Sequence, residues 1–212
     1  MGSLESEEGR SDDEVQHEVT LTKGFWILET PVTQALWNAV MKASGNCYLG
    51  FDLPANDATW ERCEAFVAHL NALGFAPEGM RFDFPTEAQW EYACRAGTTT
   101  RFNFGDEITD RDAYFKWDNY ETKPVRKYPP NAWGLYDMHG NVWERCADWL
   151  GERPPYPATD PIGPPVALYR VLRGGSWRES ASACRSAFRA PEEAPFDGSD
   201  TIGFRLALTS LG

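Results

Sequence analysis

The chain is short of positive charge, of histidine and of long apolar runs, and each shortage removes a class of function. Its 20 Lys and Arg face 32 Asp and Glu, a formal charge of −12. A nucleic-acid partner would require the opposite balance, so none is expected. No stretch approaches the roughly 18 apolar residues of a membrane helix, so membrane insertion is not expected either. The opening MGSLESEEGRSDDE has neither the basic nor the apolar region of a leader peptide. The chain itself therefore reads as cytoplasmic, with surface display as the alternative if an upstream segment exports it. Three histidines lie in unrelated contexts, and neither a GxSxG elbow nor an HExxH helix occurs. Gly174-Gly175-Ser176 lacks the following helix and Lys of a phosphate cradle. Five cysteines (Cys47, Cys63, Cys94, Cys146, Cys184) form no CxxC pair, which argues against a zinc cage and for buried, reduced thiols.

What the chain does have is aromatic residues, 14% of the total with nine Trp. Seven carboxylates against the single Arg10 make residues 1–18 an expected solvated acidic arm, leaving 19–212 as one domain. HEVTLTKGFWI, from His17, alternates like a strand. Thr33 caps a predicted helix with Leu36, Ala39, Val40 and Ala43 as its stripe. Thr59 caps a second, with Cys63, Phe66, Val67, Leu70 and Leu73 inward. Thr86 to Gln89 is a capping box for a third that stops at Gly97. Beyond Gly97 helical periodicity vanishes. YRVLRGGSW and TIGFRLAL read as strands among long, Trp-rich loops, and packed loops of this kind carry function.

GLYDMHGNVWE, residues 134 to 144, holds two carboxylates, Asp137 and Glu144, around a glycine turn. Carboxylates with backbone carbonyls on a tight loop are what calcium prefers, and a hydrogen-bonded turn is the competing reading.

PVTQALWNAVM, FPTEAQWEYACRAGT, NAWGLYDMHGNVWERCADW, RVLRGGSW, CRSAFR and IGFRLAL occur in this order. Together with the opening MGS, they resemble the formylglycine-generating-enzyme/sulfatase-modifying-factor domain family. The resemblance implies an α+β, C-type lectin-like fold, loop-rich with few helices and short antiparallel strands. It also bears on chemistry. In the family's enzymes two cysteines after GGS bind copper(I) and oxidise a substrate cysteine. The second of those positions falls on Cys184 and the first on Glu179. A carboxylate does not replace a thiolate on copper(I), so neither copper nor oxidase activity is expected. The family's disulfide partners of Cys63 and Cys94 fall on Leu206 and Arg189, so no bridge is implied. The family's calcium ligands correspond to the Asp137 and Glu144 side chains and the Gly140 and Val142 carbonyls, implying one structural calcium.

A non-catalytic branch of the family comprises the variable proteins of diversity-generating retroelements, which diversify the chain between GGSW-like and IGFR-like anchors. Here that stretch lies within 174–208. Its candidate binding residues are Trp177, Arg178, Glu179, Ser180, Ser182, Ala183, Phe188, Ala190, Phe196, Asp197, Ser199, Asp200 and Thr201, expected to form one exposed face for a protein or other macromolecular ligand. The alternative is a sensor or adaptor module of a larger bacterial system.

Overall fold

The computed structural model describes residues 1–42, 49–116, 121–153, 156–191 and 198–211. The predicted first strand divides at Lys23-Gly24 into β1 (Val19–Thr20) and β2 (Trp26–Ile27). Helix α1 (Gln34–Met41) starts where Thr33 accepts the Leu36 N–H. Its inner face is only partly the predicted stripe: Leu36 and Val40 pack against the core. Gln34 and Trp37 are buried and Ala39 is exposed, while Ala43 lies outside the described residues. Gln34 tolerates burial because its amide serves the Pro54 carbonyl and accepts from the Gly50 N–H.

Helix α2 (Trp60–Ala72) buries Cys63, Phe66, Val67 and Leu70 as expected, and Leu73 is exposed at its C-cap. Trp37 stacks on Phe66 at 5.3 Å, and both meet the edge of Phe204. After β3 (Met80–Asp83), the Thr86–Gln89 capping box opens α3 (Glu87–Arg95). A long loop then leads to β4 (Trp143–Trp149), β5 (Ala158–Thr159), β6 (Arg170–Arg173), a 3-10 turn at Ala181–Cys184, β7 (Arg189–Pro191), β8 (Ile202–Phe204) and β9 (Ala207–Ser210).

Among the described residues the strands form three small sheets: β1 beside β5, β2-β9-β3, and β7-β6-β4-β8. In the last, β4 is antiparallel to β6 and parallel to β8. The two predicted anchor strands are thus pinned on either side of β4, and TIGFRLAL continues into a second sheet as β9.

Residues 1–18 are not a solvated arm. Glu14 is fully buried, with its carboxylate on the Arg185 guanidinium, and the Gly2 N–H donates to Glu91. A buried guanidinium attracts carboxylates from any part of the chain, and an acidic composition does not reveal which ones are used.

Beneath α3 lies a second charged cluster. Glu87 binds Arg153 at 2.7 Å and Arg189 at 2.8 Å, and Glu91 binds Arg173 at 2.6 Å. Burial alone would raise the Glu91 carboxyl, but Arg173, Arg153 and Arg95 outweigh it and hold it down at about 2. Asp148 accepts the Glu87 N–H at 2.7 Å. Burial, reinforced by the Glu87 charge, pushes the Asp148 carboxyl from 3.8 up to about 7. Between those values the folded chain keeps a proton that the unfolded chain has lost. Stability contributed by this group therefore falls as pH rises through that window and is flat above it. Asp148→Asn, neutral throughout, should lack the fall. Relative to that variant, the wild type should lose about 1.4 kcal/mol per pH unit between pH 4 and pH 7 in urea unfolding. Parallel stability curves would disprove the assignment.

Candidate binding face and its buried supports

The face is built on the turn that follows β6. Gly174 and Gly175 have φ of 91° and 75°, and a Cβ on Gly175 would lie 2.5 Å from the Cys184 sulfur. Only glycine lets the 3-10 turn pack against this turn so closely. Trp177 comes next and is fully buried. It was expected on the exposed face. Instead its indole fills the interior, with the Arg178 guanidinium 4.5 Å above its ring. Ala183, at 6% exposure, is buried as well. A large apolar ring beside a glycine turn fills the space that the turn leaves, and its position in sequence does not say which side it takes.

The other candidates largely converge. Arg178 and Ser180 are exposed, and Glu179, Ser182, Phe188 and Ala190 are half-buried. Arg178 reaches Asp200 at 3.1 Å, and the Trp143 indole N–H meets Glu179 at 3.3 Å. Ser180 bonds Ser182, and Ser199 bonds Thr201. Phe188 lies 6.0 Å from Trp143, over Leu172, Ala183, Ala190 and Ile202. Asn56 and Asp57 hold the far side by bonding the Asp200 carbonyl and the Ser199 carbonyl. Trp143 of GNVWE thus lies beneath this cluster. Phe196 and Asp197 lie outside the described residues.

Two supports not visible in the sequence fix this loop. Arg185 is fully buried and grips both oxygens of Glu14, with Glu7 and the Gly9 carbonyl as further acceptors. His139 donates from Nδ1 to the Cys184 carbonyl at 2.7 Å, and its Nε2 accepts the Asn103 N–H at 3.1 Å. Both bonds suit the neutral ring, and burial draws its pKa down to about 4.

The family model for the sulfatase-modifying factor enzyme 1-like domain matches residues 1–210. The chain belongs to that family. Across 98% of the chain it is 31% identical to the formylglycine-generating enzyme of Streptomyces coelicolor, covering 85% of that protein. It is 34% identical to the serine/threonine-protein kinase pkn1 of Chlamydia caviae across 95% of the chain, and spans only 35% of that relative's length. Among solved structures, Treponema denticola variable protein 1 superposes with a TM-score of 0.83 at 27% identity, covering 98% of this chain and 92% of that one. PvdO from Pseudomonas aeruginosa also gives 0.83, at 32% identity, covering 100% of this chain and 90% of that one. The α+β fold is therefore that of the sulfatase-modifying factor domain, a C-type lectin-like fold.

The family includes catalytic and non-catalytic members, and the thiols bear on which kind this is. Cys63, Cys94, Cys146 and Cys184 are buried, no disulfide occurs among the described residues, and Cys47 lies outside them. Burial pushes the Cys94 thiol up to about 12, and it raises Cys184 as well, helped by the charge of Glu179.

The expected calcium ligands do not fit an ion. Both Glu144 oxygens are bound to Arg205, at 2.9 and 2.7 Å, and one also accepts the Trp90 indole N–H at 2.7 Å. A carboxylate so occupied has little left for an ion that takes six to eight oxygens. Asp137 accepts the Arg126 N–H, and burial raises its carboxyl to about 6. Gly140 (φ 85°) is needed for another reason, since a Cβ there would lie 2.3 Å from the Tyr114 carbonyl oxygen. Val142 is fully buried beside it. Arg205 supplies the positive charge that a cation would otherwise bring. Chelator should therefore leave the melting temperature unchanged, whereas Arg205→Met should cost about 3–5 kcal/mol by stranding Glu144. A melting temperature that drops with chelator would restore the calcium reading.

Proposed function

We propose that this domain is a non-catalytic binding module, and that its partner-facing surface is the region around Arg178, Glu179, Ser180, Ser182, Phe188 and Asp200. The observation that carries the reading is that Glu179 and Cys184 stand at the two positions the family resemblance assigns to copper. Copper(I) is a soft ion that wants two thiolates, and this pair offers one buried thiol and one hard carboxylate. The retroelement variable protein is the preferred form of the module. Its support is the likeness to Treponema denticola variable protein 1, together with short polar and charged side chains clustered between two anchor strands. An open face of that kind suits a macromolecular ligand. Clefts of about 360 and 330 Å3, which share Leu21, Lys23 and Gly24, contribute no residue to it.

A second reading has its own observation. The chain matches about a third of a kinase's length, as a module carried within a longer protein would. The DNA beside the gene separates the two. A near-repeat of the 3′ coding region, altered at adenines and next to a reverse transcriptase gene, supports the variable protein, and its absence favours the module. Both share one expected outcome. Incubated with copper(I), oxygen and a peptide bearing Cys-x-Pro-x-Arg, the protein should leave the cysteine unchanged by mass spectrometry. Formylglycine in that peptide would overturn the proposal.

A further inference from the structure

The cluster beneath α3 has more buried positive charge than its carboxylates use. Arg153, Arg173 and Arg189, with side chains 4%, 0% and 3% exposed, meet two paired carboxylates, Glu87 and Glu91. Arg95 adds a fourth guanidinium on Glu91. Beside them lies a cavity of about 50 Å3, lined by Arg153, Arg189, Glu87, Asp148, His17 and Gly163 among others. Arg153 spends Nη2 on the two glutamates, and among the described residues its Nε and Nη1 have no hydrogen-bond partner. Arg189 spends Nη1 on the Gly151 carbonyl and Nη2 on Glu87, and its Nε likewise has no partner among the described residues. Unmatched buried N–H groups of a charged side chain are costly, more so than neutral ones.

We propose that this cavity binds a small monovalent anion, of halide size, between Arg153 and Arg189. The volume encloses such an ion or a few waters and is too small to enclose a sugar acid or a nucleotide. The charges decide between the two occupants. Guanidinium donors of Arg153 and Arg189 are in the lining, and an anion accepts from them while neutralising the surplus charge. A water there would accept two bonds and leave the charge unbalanced. Asp148, whose buried carboxyl is raised to about 7, and exposed Glu152 line the cavity and oppose the anion, as exposed Asp13 does from outside. The exposed pair is screened, and Arg95, Arg153, Arg173 and Arg189 against Glu87, Glu91 and Asp148 still leave one positive charge over. The site joins the start of α3, the β4 end and β7, so occupancy favours the folded state.

The test replaces chloride with gluconate, too large for the cavity, at constant ionic strength and pH 7.5. The wild-type melting temperature should rise saturably with chloride, by about 5–10 °C at a hundredfold excess over Kd. Arg153→Gln, which removes the unmatched charge, should lose that dependence. A wild type indifferent to chloride, or a variant that responds as the wild type does, overturns the proposal. Should the variant fail to fold, crystals of the wild type grown in bromide decide the matter. An anomalous peak between Arg153 and Arg189 supports the site, and water density without such a peak refutes it.

Discussion

Arg185 is the residue on which the candidate face depends. Its guanidinium is fully buried, and its carboxylate partner Glu14 lies 171 residues earlier in the chain. Taking such a pair out of water gains little net stability, but losing one partner strands the other at a cost of several kcal/mol. The pair therefore acts as a constraint on geometry. It fixes the turn carrying Cys184 against the domain, and the Arg185 Nε–H ties down the Ser182 carbonyl at 3.0 Å. His139 adds a second tie to the same turn.

The same device recurs in the interior. Arg173, Arg185 and Arg205 are each fully buried, and each meets a carboxylate: Glu91, Glu14 and Glu144. Short strands and long loops offer few ladder bonds, so directional guanidinium bonds to carbonyls and carboxylates hold segments that backbone pairing cannot reach. Arg205 binds the carbonyls of Leu28 and Tyr136 as well as Glu144. In this chain Arg205 supplies, with covalently attached charge, the neutralisation expected of a metal ion.

Much of the helical part was legible in the sequence, because helix signals are local. The Thr86–Gln89 box and the Thr59 cap work within one turn, and the α2 stripe follows helical spacing. The α1 stripe was half legible: Leu36 and Val40 pack inward, but Gln34 and Trp37 take the most buried places, Gln34 by finding partners for its amide. The acidic segment failed for a different reason. Nothing near Glu14 distinguishes it from exposed Asp12 or Asp13, since what selects it is an arginine far along the chain. At the face, the anchors and the exposed Arg178 and Ser180 were readable from motif order. The burial of Trp177 was not, because a loop has no period to assign its side chains.

The central claim is that the surface at 178–182 is free to vary because Arg185 and its partners hold the backbone beneath it. The direct measurement randomises codons 178, 179, 180 and 182 together and records the melting temperatures of a few dozen members. With each exposed change costing under about 0.5 kcal/mol, most members should melt within a few degrees of the parent. A library in which most members are unfolded would contradict the account, because the face would then be part of the core.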